Sequence, residues 1–301
     1  MLKRIVLALS GVSGWALGVA LGLALGVAPL WAQTAEPAGR AQLALPGQRG
    51  FGGFSSIDFA PDGTFYASSD RGSILHGRLL RTGAALTGAE VLTFAPLRDQ
   101  KGAPLPRYYT DAEGIAVDGA GGVYVSFEGR HRVTAYPDPF GASAPFDQPA
   151  AFADLQLNSS LEALAIDDDG SLYTLPERSG ELTRPFPVWR YRNGTWDQPF
   201  SLRRDGDFLA VGADFGPDGK LYLLERFNVL ITFASRVRRF TIQDGQVTNE
   251  ETVLETSLGT HGDLEGIAVS QDGAKIRLTL IADDNFKPFL ANEIVEYVLS
   301  D

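Results

Sequence analysis

The chain has 301 residues, no cysteine and a formal net charge of −11. Without cysteine it can have no disulfide, thiolate metal site, lipidated cysteine anchor or cysteine nucleophile. The acidic balance repels nucleic acid and anionic lipid, while still allowing bound cations or a few arginines gathered round an anion.

The N-terminus differs in kind from the rest. Lys3 and Arg4 precede an uncharged run from Ile5 to Val27, and polar sequence opens at Gln33 after Leu30, Trp31 and Ala32. A basic start, an apolar run and a small residue before polar sequence predict a secretory signal peptide over residues 1–32, cleaved after Ala32, with Ala35 as the second option. The same run is nearly long enough to span a bilayer, so an uncleaved anchor is the competing reading. Either way residues 33–301 are expected in the periplasm or outside the cell. Loss of Lys3 and Arg4 makes the net charge −13.

A module then repeats five times. It opens with a short apolar run, turns at Asp-Gly or Gly-Gly, and continues into a second run beside a tyrosine. The copies are Gly53 to Arg71, Asp111 to Glu128, Leu161 to Arg178, Ala213 to Arg226 and Asp263 to Asn285. The apolar–turn–apolar pattern is that of a hairpin. Val133–Tyr136, Val188–Tyr191, Val237–Phe240 and Ile294–Tyr297 alternate apolar and polar residues, as half-buried third strands do. Thr82-Gly83, Asn193-Gly194 and Asp244-Gly245 supply turns into a fourth strand. A period near 50 residues with four strands per module predicts an all-β fold, a β-propeller of about five blades. The segment Ala95 to Thr110, with three prolines and Tyr108-Tyr109, reads as a long loop; if it hides a degenerate blade the count becomes six. The fifth module stops after its third strand, and Gln42–Leu45 has no partner of its own. That segment is expected to supply the missing strand, closing the ring through the two chain ends. Asn193-Gly194-Thr195 also matches a glycosylation acceptor, but a hairpin turn accounts for it.

Equivalent residues of the modules form rings about the axis. One ring is Ser55, Glu113, Glu162, Val211 and Glu265, just before the innermost strand. A second set follows the second strand: Asp70-Arg71, Glu128 with Arg130, Glu177-Arg178, Glu225-Arg226 and Asp283-Asp284-Asn285. Antiparallel neighbours start and stop together, so both sets belong to one mouth of the channel. Carboxylates close together repel by about 4 kcal/mol per pair at about 4 Å, and a metal, an arginine or a shared proton must relieve that. Strand-end carboxylates often only accept turn amides, and Glu-Arg pairs often only tie blade to blade. A cluster on one mouth goes further. Glu113, Glu162, Glu265, Glu128, Glu177, Glu225, Asp283 and Asp284 are the candidate metal ligands, and their oxygens suit calcium. Arg71, Arg130, Arg178, Arg226 and Asn285 are the candidates to hold an anionic ligand. Glu113, Glu162, Glu265 and His261 are the candidates for proton transfer, and His131 also falls near the mouth. No Gly-x-Ser-x-Gly, His-Glu-x-x-His or phosphate-binding glycine loop is present.

Asp-x-Glu-Gly-Ile-Ala at 111–116 and 263–268, Leu161-Glu162-Ala-Leu-Ala, Pro176-Glu177-Arg178, Glu225-Arg226 and the closing Ala282-Asp283-Asp284-Asn285-Phe286 resemble the family called esterase-like activity of phytase. The resemblance runs from about Gly50 to Leu299. Modules one and four depart from its acidic pattern, with Ser55 and Val211 in place of Glu. It implies a propeller that hydrolyses an ester or phosphoester; the carboxylates of the mouth add calcium as a candidate cofactor. The alternative is a non-catalytic module that binds an anionic ligand or a partner protein. A monomer acting on a small anionic ligand or ester is expected, with no nucleic acid, and no membrane unless the leader stays uncleaved.

Overall fold

The computed structural model describes residues 35–156 and 159–300. The expected signal peptide over residues 1–32 and its cleavage after Ala32 lie outside the described residues. Strand β1 is Ala35–Gln42. A first group follows with β2 (Phe54–Phe59), β3 (Phe65–Ser69), β4 (Ser73–Thr82) and β5 (Ala85–Pro96). The second has β6 (Ala112–Val117), β7 (Val123–Phe127) and β8 (Arg132–Tyr136). The third has β9 (Leu161–Ile166), β10 (Leu172–Pro176), β11 (Phe186–Arg192) and β12 (Thr195–Leu202). The fourth has β13 (Leu209–Phe215), β14 (Leu221–Val229), β15 (Thr232–Gln243) and β16 (Gln246–Glu255). The fifth has β17 (Asp263–Asp272), β18 (Lys275–Asp283) and β19 (Glu293–Leu299).

Within each group consecutive strands pair antiparallel. The first strands close a ring: β2 packs on β6, β6 on β9, β9 on β13, β13 on β17, and β17 back on β2. This is the β-propeller that the repeat predicts. β1 completes the fifth group by pairing antiparallel with β19, and touches β5 of the first group at Gly39 and Leu86. Closure through the chain ends is therefore present, but through Ala35–Gln42 rather than Gln42–Leu45. The apolar alternation at Leu43 and Leu45 pointed to the wrong stretch. An outermost strand faces solvent on much of its surface, so its sequence, Ala-Glu-Pro-Ala-Gly-Arg-Ala-Gln, carries little apolar signal.

The second group departs from the expected four strands. Pro137, Pro139, Pro145 and Pro149 fall where a fourth strand would run, and proline cannot donate to a ladder. Isolated bonds cover the edge of β8 instead. Ala144 N–H donates to the Ala135 carbonyl, and the Gln148 side-chain amide accepts from Val133 N–H and donates to its carbonyl. Ala95 to Thr110 is mostly loop, apart from the end of β5 and a short 3-10 turn at Arg107–Tyr109, and no sixth strand group occurs among the described residues.

Five apolar clusters hold the ring, one in each gap between neighbouring groups. Leu175, Val188 and Phe186 meet Leu221, Leu223 and Phe240 between the third and fourth. Val211, Tyr222 and Val237 meet Leu264, Leu278 and Leu280 between the fourth and fifth. Each fully buried side chain of this size contributes roughly 1.5–3 kcal/mol. Both faces of the sheets are thus buried, which is why the inner strands read as continuous apolar runs.

The axis is pinched shut. A Cβ on Gly266 would lie 2.6 Å from Ser56 Cα, and one on Gly212 would lie 2.6 Å from the Glu265 carbonyl oxygen. Only about 10 Å³ remains between the inner strands, at the lower limit for one water. The propeller therefore has two separate mouths.

Candidate functional site at one mouth of the propeller

Every first strand carries a β-bulge near its beginning. The skipped residues are Ser55, Glu113, Glu162, Val211 and Glu265. These are the members of the ring read from the repeat. A bulge adds one residue to a strand and re-aims its side chain, so the same irregularity in each group carries the ring residues at this mouth.

The pairing also fixes which residue of each second strand stands beside the ring. Opposite equivalent bulges come Asp70, Glu128, Glu177, Arg226 and Asp283. The fourth group therefore presents Arg226 where the others present a carboxylate. Glu225 is displaced by one residue and faces the other side of the sheet. It is fully buried, where it accepts from Arg236 Nε at 2.9 Å and from Arg238 Nε and Nη2 at 2.7 and 2.6 Å. Matching Glu225-Arg226 to Glu177-Arg178 letter by letter misplaced it, because a one-residue slip in a strand exchanges its faces.

Arg226 organises one half of the mouth. Its Nη1 donates to Asp263 at 2.9 Å and to Glu265, and its Nη2 donates to Glu177 at 3.1 Å. Burial opposes its charge, but Glu265, Asp263 and Glu177 together push the guanidinium well above its ordinary range. Arg178, half exposed, donates to the other oxygen of Glu177 at 3.0 Å. Asn285 Nδ2 donates to Asp263 at 2.9 Å. Asp284 is committed to the chain path: it accepts from Gly53 N–H, Phe286 N–H and Asn292. Asp283 is buried, which pushes its carboxyl up to about 7, against the hydrogen bond from Asn285 N–H.

The other half has no such arginine. Oxygens of Asp111, Glu113 and Glu128 lie within 4.8 Å of one another. Burial, then Asp111, Glu128 and Asp70, push Glu113 well above the carboxylate range. Asp111 and Glu128 are raised by burial as well. Asp70 stands beside them, pushed up to about 6 by burial against the pull of Arg71. Its Oδ1 is buried, 3.7 Å from Arg71 Nε, and the buried hydroxyl of Ser55 lies beside Glu113. Glu162 joins the halves. Burial, then the charges of Glu113 and Glu128, raise it well above the carboxylate range. Like charges this close favour the protonated form of one of them.

The three bulge glutamates therefore do not form one ligand set. Glu113 joins Asp111 and Glu128, Glu162 bridges, and Glu265 is taken by Arg226. Asp111 and Asp263 were not among the candidates, although the repeated Asp-x-Glu carried the signal for both. His261 is not brought to the cluster: its Nε2 bonds the Tyr297 hydroxyl at 2.5 Å, and burial lowers its basicity. Arg71 stacks over Phe286 at 4.4 Å and stays mostly exposed. Arg130 stacks over Tyr109 at 5.2 Å. His131 Nδ1 bonds Ser160 Oγ at 2.7 Å, and Ser160 N–H donates to Glu128 at 3.3 Å.

The fold is similar to a PQQ-bound aldose sugar dehydrogenase from Streptomyces coelicolor, at 15% identity over 82% of this chain and 80% of that one, with a TM-score of 0.44. It is similar too to a gluconolactonase from Xanthomonas campestris, at 13% identity over 82% and 71%, with a TM-score of 0.46. A streptogramin B lyase aligns at 13% identity over 89% and 87%, with a TM-score of 0.42. No curated protein matches the sequence. The phytase-like family model, described as esterase-like activity of phytase, matches residues 49–286, and the chain belongs to that family.

Proposed function

We propose that the chain is a cation-assisted hydrolase of a small ester or phosphoester at the acidic mouth. The observation that carries this reading is the convergence of Asp111, Glu113 and Glu128 beside Glu162, whose charge burial and Glu113 disfavour. The donor set fits a hard cation. It is all oxygen, it gathers three carboxylates, and the buried Ser55 hydroxyl and Asp70 Oδ1 lie next to it. Asp111, Glu113 and Glu128 would hold the ion, with calcium the natural choice. A bound calcium supplies polarisation of the ester oxygen and a more acidic water.

The chain's own residues do the rest. Glu162 is favoured in its protonated form because burial, then Glu113, disfavours its charge. It is placed to give that proton to a leaving alkoxide. Glu128, beside Glu162, is placed to take the proton that the attacking water loses and pass it to Glu162, which restores the acid. Arg226 fixes Glu177, Asp263 and Glu265 as a rigid wall, so only one half of the mouth changes charge. That same wall supports the second reading, a mouth that binds without turnover, since an arginine held by three carboxylates is a structural tie.

A panel of phosphomonoesters and carboxyl esters, assayed with and without calcium, separates the two. Hydrolysis is expected only with calcium. Glu113→Gln and Glu128→Gln should each lower it by about 10²-fold or more. No hydrolysis of any ester, or hydrolysis indifferent to chelation, overturns the proposal.

A further inference from the structure

Beside the open half of the mouth lies a recess of about 540 Å³. One side is basic, formed by Arg130, His131 and Arg132. The other is apolar, formed by Pro149, Ala150 and Phe152. Among the described residues no carboxylate lines it. This is unusual in a chain of net charge −11, and more so because the mouth's other arginines, Arg71, Arg178 and Arg226, all contact acids.

Arg130 and Arg132 make no ion pair among the described residues. Arg132 Nη1 donates to the Arg130 carbonyl at 3.0 Å and Nη2 to the Tyr109 carbonyl at 2.6 Å. Its guanidinium lies over the Phe127 ring at 3.7 Å. Backbone carbonyls and aromatic faces thus hold both cations in place without cancelling their charge. Burial pulls Arg132 down to about 10, as happens to a cation with too little counter-charge. His131 uses Nδ1 on Ser160, which leaves Nε2 for a ligand. A second recess of about 350 Å³ adjoins across Arg132 and Gln148, and on its wall the buried Tyr136 hydroxyl has no partner.

We propose that the recess is a subsite for the anionic end of an organic ligand, a carboxylate or phosphate carried on a small apolar group, whose remainder reaches the acidic mouth across Ser160. Guanidinium groups bind such oxyanions in a fork, and Pro149 with Ala150 receives the apolar part. The link to the mouth rests on the reading of the mouth as the ester site; the anion subsite itself does not.

Binding decides it without turnover. The chelated full chain is titrated calorimetrically with benzoate, phenylphosphonate and, as the uncharged counterpart, benzyl alcohol. At least one anion should bind about 10-fold more tightly than the alcohol, the difference of one charge-assisted contact. The tighter of the two names the ligand's anionic group. Arg132→Gln risks freeing the turn at Tyr109, so Arg130→Gln and His131→Gln carry the test. Each should weaken the anion about 10-fold and leave the alcohol unchanged. Equal binding of alcohol and anions, or anion affinity unchanged in Arg130→Gln, overturns the proposal. Glu113→Gln should keep the anion affinity while ester turnover falls, so the two readings fail separately.

Discussion

Asp58 and Asp214 sit on first strands at the end of the axis away from the acidic ring, three residues beyond Ser55 and Val211. Asp58 accepts from Phe59 N–H at 2.7 Å and from Val117 N–H at 2.6 Å, so one carboxylate ties β2 to β6. Asp214 repeats this between β13 and β17 through Phe215 and Val269. Burial pushes Asp58 up to about 7, and burial together with Asp58 raises Asp214 well above the ordinary range. The folded chain therefore holds the Asp58 proton more tightly than the unfolded chain, where the carboxyl titrates near 3.8. The resulting stability is complete below pH 3.8 and is lost as the pH rises through about 7. In Asp58→Asn, denaturation followed across that range should show a shallower fall of stability with pH than the wild type. The variant should be less stable at the acid end, since an amide cannot accept both backbone N–H groups. Parallel profiles would show that Asp58 does not titrate there. Neither aspartate was legible as a site, because each looked like one more polar residue at a strand end. Only the pairing shows them inserted between neighbouring first strands.

The repeated hairpin explains which parts of the mouth were readable. The bulge ring was legible because one module, written five times, marks equivalent positions without any need to know their geometry. The partner positions on the second strands were not, because register depends on where the bulge falls. Asp70, Glu128, Glu177 and Asp283 survived the uncertainty, since acid neighbours acid in those loops. Glu225 did not. It serves instead as the buried centre of β14 and β15, with Arg238 fully buried and Arg236 nearly so. Glu225→Ala would leave two guanidiniums without their main counter-ion. A loss of roughly 3–5 kcal/mol in unfolding free energy is expected by urea denaturation. A loss below about 1 kcal/mol, the usual scale for an exposed pair, would mean that Asp205 and Glu250 already satisfy both arginines. The fourth group is the most individual: it lacks the ring glutamate, carries Arg226 in place of an acid, and supplies the cation that fixes half the mouth.

For the whole molecule, the propeller, the closure by the chain ends and the long loop before the second group followed from periodicity. The missing fourth strand of the second group did not, because prolines change pairing without changing the period. The closing strand could be named only as a requirement, since its own residues are polar. Deleting residues 33–46 should remove the partner of β19 and uncover Ile294 and Val295, buried beneath it. A lower melting temperature and aggregation through the bare edge are the expected outcome. An unchanged melting temperature and solubility would show that β19 is stable as an edge. The same closure governs how the chain can reach its native state. Ala35 pairs with Leu299, so the earliest described strand waits for the latest to complete its antiparallel pairing. Until β19 is made, β1 and β18 each present an unpaired edge. The groups can pack on one another in order, but the seam between the fifth and the first closes only with β19, and a chain truncated before it is left open there.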